Sequence, residues 1–310
     1  MRIVLLHHGV LPVRGYGGTE RVVVWLIRGL AALGHEVTLI AGTGSKVPEA
    51  RLIPVDPRLA VKPGFDVRPH LPPGVDLVHA HQPTGPTGVP TLWTMHGNPR
   101  PGMHYPPNMV GVSADHARRI GAASHVYNGL DPAEYTYRDR KGDYDLFIGR
   151  LHTAKGWQWA VQGARRTNRR LVVAGGWRPS FRRHLEFVGE VDGEQKMGLL
   201  AEAACLWMPA RWDEPFGLTL IEALVSGTPV LGTRRGALPE VITPDTGALG
   251  DTLEDLVALR PTLDTLSPEA GRARVLRHFT HLVMAEEYCR LYCALMSGSP
   301  LPPGRLGETP

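Results

Sequence analysis

"CLWMPARWDEPFGLTLIEALVSGTPVLGT", Cys205 to Thr233, is the stretch that decides the fold. Its first six residues, "CLWMPA", form an apolar run of strand length. "RWDEPFG" interrupts that run with charge, Pro and Gly, and reads as a loop. "LTLIEALV" then reads as a helix, Ser226-Gly227 stops it, and "TPVLGT" is a second strand. Strand, loop, helix, strand is the unit from which parallel sheets are built.

Two carboxylates lie in this unit, Glu214 in the loop and Glu222 in the helix, eight positions apart. Thr219 and Glu222 form T-x-x-E, the pattern of a capping box, so one reading makes Glu222 a helix cap. That reading gives no reason for Glu214, or for Gly217, which lets a ligand approach the backbone closely. In the second reading the free N–H groups at the helix start take a phosphate. Glu222 then reaches a ribose and Glu214 a sugar hydroxyl, so the two carboxylates grip opposite ends of a nucleotide-sugar.

The same rhythm runs outward in both directions. "YDLFIGR", "RLVVAGG" and "LEFVGEV" read as strands before the opening stretch, alternating with the helices "GWQWAVQGARR" and "GEQKMGLLAEAA". In the first half, "RIVLL", a loop, the helical pattern "ERVVVWLIRGLAAL" with apolar Val22, Val23, Leu26, Leu30 and Leu33, and the strand "EVTLIAG" make a β-α-β unit. "VDLVHAH", "TLWTMHG" and "MVGVSA" add three strands. The polar stretch "NGLDPAEYTYRDRKGD" marks the join. The expected fold is therefore α/β, with two Rossmann-like doubly wound domains facing a cleft. They span residues 1–137 and 138–280, followed by a helix at 281–296 that returns to the first domain and a flexible tail at 297–310.

Composition narrows the function. Apolar residues make up 43% of the 310, as in an ordinary soluble globular protein. Cys205, Cys289 and Cys293 form no disulfide framework, and Cys289 and Cys293 read as two buried thiols. The start "MRIVLLHHG" is too short for a signal peptide and no run reaches membrane-span length, so a cytoplasmic protein is expected. The net charge of +4 suits a polyphosphate ligand or a peripheral contact with an anionic membrane face. Its Arg pairs are dispersed, which argues against nucleic acid. The loop "GYGGTER" is not a dinucleotide fingerprint, because the third glycine would fall at Glu20. Gly17 and Gly18 instead let the backbone approach a phosphate or acceptor, or make a plain tight turn. His79 and His81 alternate on one face of a strand and read as cleft wall or core, and no metal-ligand spacing accompanies them.

"EPFGLTLIE" resembles the E-x7-E motif of glycosyltransferase family 4, retaining enzymes of the GT-B fold. "GYGGTERVV", "TMHG", "VYNGLD", "IGRLHTAKG" and "SGTPVLGTRRGALPEVI" resemble further family segments in the family's order, and the terminal "YCRLY" helix also fits. The resemblance implies a metal-independent enzyme that moves a sugar, most often from UDP-glucose, to an acceptor hydroxyl. It implies that Arg150 and Lys155 clamp the diphosphate, and that the Phe216, Gly217, Leu218 and Thr219 backbone holds the donor with Glu222. Glu214 would fix the sugar, and His96 would lie near the reacting carbon. One departure is Ala154, where relatives usually carry Glu. Within the resemblance, "WDEPFGL" and "GYGGTER" are similar to a subgroup that includes pterin glucosyltransferases, while lipid and polysaccharide acceptors stay open. A GT-B epimerase or phosphorylase, or a homologue that only binds a sugar nucleotide, are the alternatives.

Overall fold

The computed structural model describes residues 1–307 except 14, 16, 63, 100, 101, 103 and 104. The chain divides into two compact units, residues 1–130 with 278–310, and 131–277. The join thus falls seven residues before the sequence boundary, and the return three residues before it.

In the first unit, β1 (Arg2–Leu6) is followed by α1 (Gly18–Ala32), β2 (Glu36–Gly42), β3 (Arg51–Val55) and a short helix, α2 (Pro57–Ala60). Then come β4 (Leu77–Ala80), β5 (Thr91–Thr94), β6 (Met109–Gly111), α3 (Ala114–Ile120) and β7 (Ser124–His125). All seven strands are parallel, in the order β3-β2-β1-β4-β5-β6-β7. The order reverses between β1 and β4, so a crevice opens beyond the C-terminal ends of those two strands. Strands covered on both faces read as continuous apolar runs, and β1 and β4 are buried along nearly their whole length.

The second unit repeats the plan with β8 (Tyr144–Ile148), α4 (Trp157–Arg166), β9 (Arg170–Ala174), β10 (Leu185–Gly189) and α5 (Gly193–Glu202). It continues with β11 (Cys205–Met208), α6 (Leu218–Val225), β12 (Val230–Thr233), α7 (Leu238–Val241), β13 (Gly247–Gly250), α8 (Leu253–Leu259) and α9 (Pro268–His278). The sheet order is β10-β9-β8-β11-β12-β13, with the reversal between β8 and β11. The opening stretch of sequence is β11, its loop, α6 and β12.

α10 (His281–Met296) belongs to the first unit and packs along α1. Any side chain at Gly29 would be driven into the His281 carbonyl and Ala285, so the two helices cross at glycine distance. This second cover explains why Trp25 and Ile27 are buried as well as the apolar stripe. Leu33 is the exception: it caps the C-terminus of α1 and is exposed.

Two expectations are overturned here. The tail is tied down as far as residue 307: Arg305 donates to Glu287 at 2.7 Å, Arg290 to the Pro303 carbonyl at 2.8 Å, and His278 Nδ1 lies 2.6 Å from the Gly307 carbonyl oxygen. The two cysteines of α10 are not both buried, since Cys293 is exposed and Cys289 half-buried against His35. Among the described residues, no helix is long and apolar enough to cross a membrane.

Candidate functional site

The predicted donor residues gather at the C-terminal end of the second sheet, around its reversal. Arg150 lies two residues beyond β8 and is exposed. Lys155 ends a 3-10 turn, Thr153–Lys155, which the Arg211 N–H ties to the end of β11 through the Ala154 carbonyl at 2.8 Å. Gly156 then turns in the left-handed region at φ 74°, with its Cα so close to the Pro209 carbonyl that no side chain fits. This turn directs Lys155 back over the β11 loop.

There Lys155 Nζ meets Glu214 Oε2 at 2.7 Å. The Trp212 indole N–H donates to the same oxygen at 2.8 Å, and Lys155 Nζ lies 4.6 Å from the centre of the Trp212 ring. Glu214 Oε1 makes no hydrogen bond among the described residues, and it is not sealed from solvent. The carboxylate therefore has one neutralised oxygen and one open one. Its backbone is held by the loop after β12, where the Ala237 N–H donates to the Glu214 carbonyl at 2.9 Å.

α6 begins at Leu218 behind Gly217, which sits at φ 85° as N-cap, and no side chain caps the helix. The capping-box reading is thereby corrected. Thr219 is the second helical residue, with its hydroxyl turned toward the Met208 sulfur, and Glu222 faces inward. The box does occur elsewhere, at Thr252 and Asp255 of α8. Leu218 and Thr219 are half-buried at the uncapped end, and Phe216 is buried beneath the loop. Glu222 Oε1 accepts from Lys196 Nζ at 2.6 Å and from the Tyr135 hydroxyl at 2.9 Å. Glu222 thus stands in a buried ion pair, and Lys196 is its counter-charge.

In the first unit, His7 follows β1, His81 follows β4 and His96 lies two residues beyond β5, so the rings collect at that sheet's reversal. His81 Nδ1 and His96 Nε2 are 2.9 Å apart. Burial holds every ring of this group below the ordinary histidine range: His7 and His116 to about 4 and His96 to about 3. For His79 and His81 burial is again the first cause. Gly17 and Gly18 form the start of α1, with Gly17 as an N-cap lacking a side-chain cap, while Arg14 and Tyr16 of the same loop lie outside the described residues. Among the described residues, no group of three or more His, Cys, Asp or Glu is placed to hold a metal ion.

The family profile described as "Glycosyltransferase Family 4" matches residues 16–131, and that described as "Glycosyl transferases group 1" matches residues 143–259. The chain belongs to this glycosyltransferase family. It is 31% identical over 210 residues to a glycogen synthase of Mycobacterium tuberculosis, covering 58% of this chain and 50% of the relative. The chain thus spans half the length of that relative. It is 28% identical to a phosphatidyl-myo-inositol mannosyltransferase of Propionibacterium freudenreichii, covering 83% of this chain and 86% of the relative. The crystal structure of AviGT4, a glycosyltransferase involved in avilamycin A biosynthesis, superposes with a TM-score of 0.80 at 29% identity, over 97% of this chain and 99% of that one. The lipopolysaccharide glycosyltransferase WaaG superposes at 0.61 and 15% identity, over 96% of this chain and 98% of that one, a likeness of fold. The fold is GT-B.

Three polar residues of the site escaped sequence reading. Trp212 was visible only as part of a loop, Lys196 as one more charge in a helix, and Tyr135 as part of the join. For two of them the partner is far away in sequence: Lys196 lies 26 residues from Glu222 and Tyr135 lies 87, whereas Trp212 lies two from Glu214. Spacing within one motif carries no trace of either.

Proposed function

We propose that the protein is a retaining glycosyltransferase that moves a sugar from a nucleotide-sugar, with UDP-glucose as the first donor to test, to an acceptor hydroxyl. The observation that carries this reading is Glu214, with Oε2 engaged by Lys155 and Trp212 while Oε1 stays open. A carboxylate held in that way can bind a sugar hydroxyl without losing its counter-charge. Arg150 and Lys155 supply positive charge for the diphosphate. The uncapped start of α6, from Phe216 to Thr219, supplies amide donors with the helix dipole behind them. Glu222, fixed by Lys196 and Tyr135, takes the ribose end. The first unit supplies His96 and the Gly17-Gly18 helix start, and binds the acceptor.

The bond between the anomeric carbon and the diphosphate oxygen breaks, and charge builds on that oxygen. Fixed cations stabilise it most in the transition state. The acceptor oxygen bonds to the same face of the carbon as its proton passes to the departing phosphate. No covalent nucleophile and no metal ion are needed. The names of the matched relatives carry unrelated acceptors, glycogen and phosphatidyl-myo-inositol among them, so the reading commits on the donor half. A peripheral contact with an anionic membrane belongs to the same proposal, on the strength of the +4 charge.

The test is a thermal-shift panel of UDP, GDP, ADP and their sugars, with and without Mg²⁺. A ligand at 100 times its Kd adds about 2.7 kcal/mol of stability. One base should raise the melting point by several degrees, and Arg150→Ala should abolish the shift. In a turnover assay, Arg150→Ala or Glu214→Ala should lower the rate by about 10²–10³, the range for one preorganised electrostatic contact. A variant within threefold of wild type removes that residue from the machinery, and no shift with any nucleotide overturns the reading.

A further inference from the structure

Five histidines around the reversal of the first sheet divide by how far their protons are fixed. His116 Nδ1 accepts the Val112 N–H at 3.2 Å, so its own proton is on Nε2, which donates to the Gly97 carbonyl at 2.8 Å. His7 Nδ1 accepts the Gly9 N–H at 3.0 Å, which again puts the proton on Nε2. His79 has both nitrogens occupied, Nδ1 at 2.6 Å from the Tyr292 hydroxyl and Nε2 at 2.8 Å from that of Thr94. His81 and His96 differ. One proton fits between His81 Nδ1 and His96 Nε2, and beyond that contact each ring has a nitrogen with no hydrogen-bond partner among the described residues. That of His81, Nε2, is buried; that of His96, Nδ1, is not sealed from solvent.

Two arrangements are chemically complete. In the first, His96 donates through Nε2–H, so His81 carries its proton on Nε2, buried and facing no acceptor. In the second, His81 donates through Nδ1–H and leaves a bare lone pair on Nε2. Orphaned buried N–H groups are rarer in native proteins than under-satisfied acceptors, and leaving a buried polar group unpaired is costly.

We propose that His81 is a positioning residue that holds His96 as the Nδ1–H tautomer, so that His96 offers a hydrogen-bond donor, and no base, to an oxygen of the bound sugar or phosphate. The ligand in this statement rests on the proposed function, whereas the tautomer rests on the first unit alone. Burial keeps both rings neutral at pH 7.5, which the assignment requires. A neutral His96 whose only lone pair is turned to His81 cannot take the acceptor proton, and the departing phosphate is left to do so.

The experiment uses the full chain labelled with ¹⁵N-histidine, and long-range ¹⁵N–¹H correlation at pH 7.5. His81→Asn and His96→Asn spectra assign the two rings. Wild type should show His96 protonated on Nδ1 and bare on Nε2. Protonation on Nε2 overturns the proposal whether or not glycosyl transfer is ever detected. For function, His81→Leu keeps side-chain bulk and removes the donor, while the amide of His81→Asn can replace Nδ1–H. With transfer established, His81→Leu should lower kcat about 10–100-fold, by analogy with outer partners that orient metal-ligating histidines, with KM for the donor within threefold. His81→Asn should restore kcat to within threefold of wild type. A folded His81→Leu enzyme with wild-type kcat overturns the positioning role, as does a His81→Asn enzyme that is folded and as slow as the leucine variant. Should the leucine variant fail to fold, the asparagine variant and the wild-type spectrum decide.

Discussion

Asp145–Arg260 and Lys155–Glu214 are ion pairs of the same unit, at 2.6 and 2.7 Å, and they are built on opposite principles. Asp145 is fully buried, and both its oxygens are filled: Oδ1 by Arg260 Nη2, Oδ2 by Arg260 Nε and by the Trp207 indole, each at 2.8 Å in the latter two. Arg260 spends its third nitrogen on Asp264. Glu214 has both its partners on one oxygen and keeps the other open. The closed pair can only hold structure, since nothing can be added to it. The open pair leaves Glu214 Oε1 without a hydrogen bond among the described residues, and under the proposed function a sugar hydroxyl fills it. The first unit repeats the contrast in neutral form, with His79 closed and His96 open.

The contrast is broken most forcefully at Asp145. Removing one partner of a buried pair leaves an uncompensated charge and costs about 3–5 kcal/mol. Asp145→Ala also strands the Trp207 N–H. Calorimetry should show a melting point lower by roughly ten degrees, at about 2–4 °C per kcal/mol for a domain of this size. Glu214→Ala should move the melt far less while it removes turnover. If the Asp145 variant melts with wild type, the distinction between closed and open pairs does not hold.

An effect that is smaller for each residue follows from pH. His7, His116 and His96 are held in the fold at about 4, 4 and 3, below the ordinary value of 6.5. The unfolded chain therefore binds more protons between those values, and stability falls as pH falls. The stabilisation is complete above pH 6.5 and lost progressively down to about 3–4. One pKa unit is worth about 1.4 kcal/mol, so a ring still neutral at pH 5 gives up on the order of 2 kcal/mol. Urea midpoints at pH 7.5 and 5 should show the loss, and His116→Asn should flatten the dependence. A midpoint constant over that range means the rings are not buried as described.

The opening stretch was legible because its physics is local. An apolar run, a Pro-Gly break and a helical run define β11, α6 and β12 without reference to anything else. β3, β7 and β13 were not legible for the same reason. β3 carries Pro54, β7 is two residues long and β13 is half glycine, so only their neighbours in the sheet make them strands. The capping box failed because T-x-x-E does not say where a helix begins. Gly217 is the N-cap, α6 begins at Leu218, and Thr219 is left inside it. Glu214, Arg150 and Lys155 were legible as a motif, but the division of labour between the two oxygens of Glu214 depends on Trp212. A tryptophan two positions away is an ordinary loop residue until the turn folds it back.

Trp212 also gives the finest test of the open pair. It does two things to the site: its N–H holds Glu214 Oε2 and its ring face lies beneath Lys155 Nζ. Trp212→Phe removes the first and keeps most of the second. A net hydrogen bond is worth about 1 kcal/mol, so turnover should fall roughly fivefold. Trp212→Leu removes both, and the half-buried cation–π contact adds about 0.5–2 kcal/mol to the loss. If phenylalanine matches wild type while leucine does not, the ring alone orients Lys155 and the indole N–H is incidental. If the two variants are equally slow, the N–H carries the effect, and Glu214 rather than Lys155 is the group that the loop was built to hold.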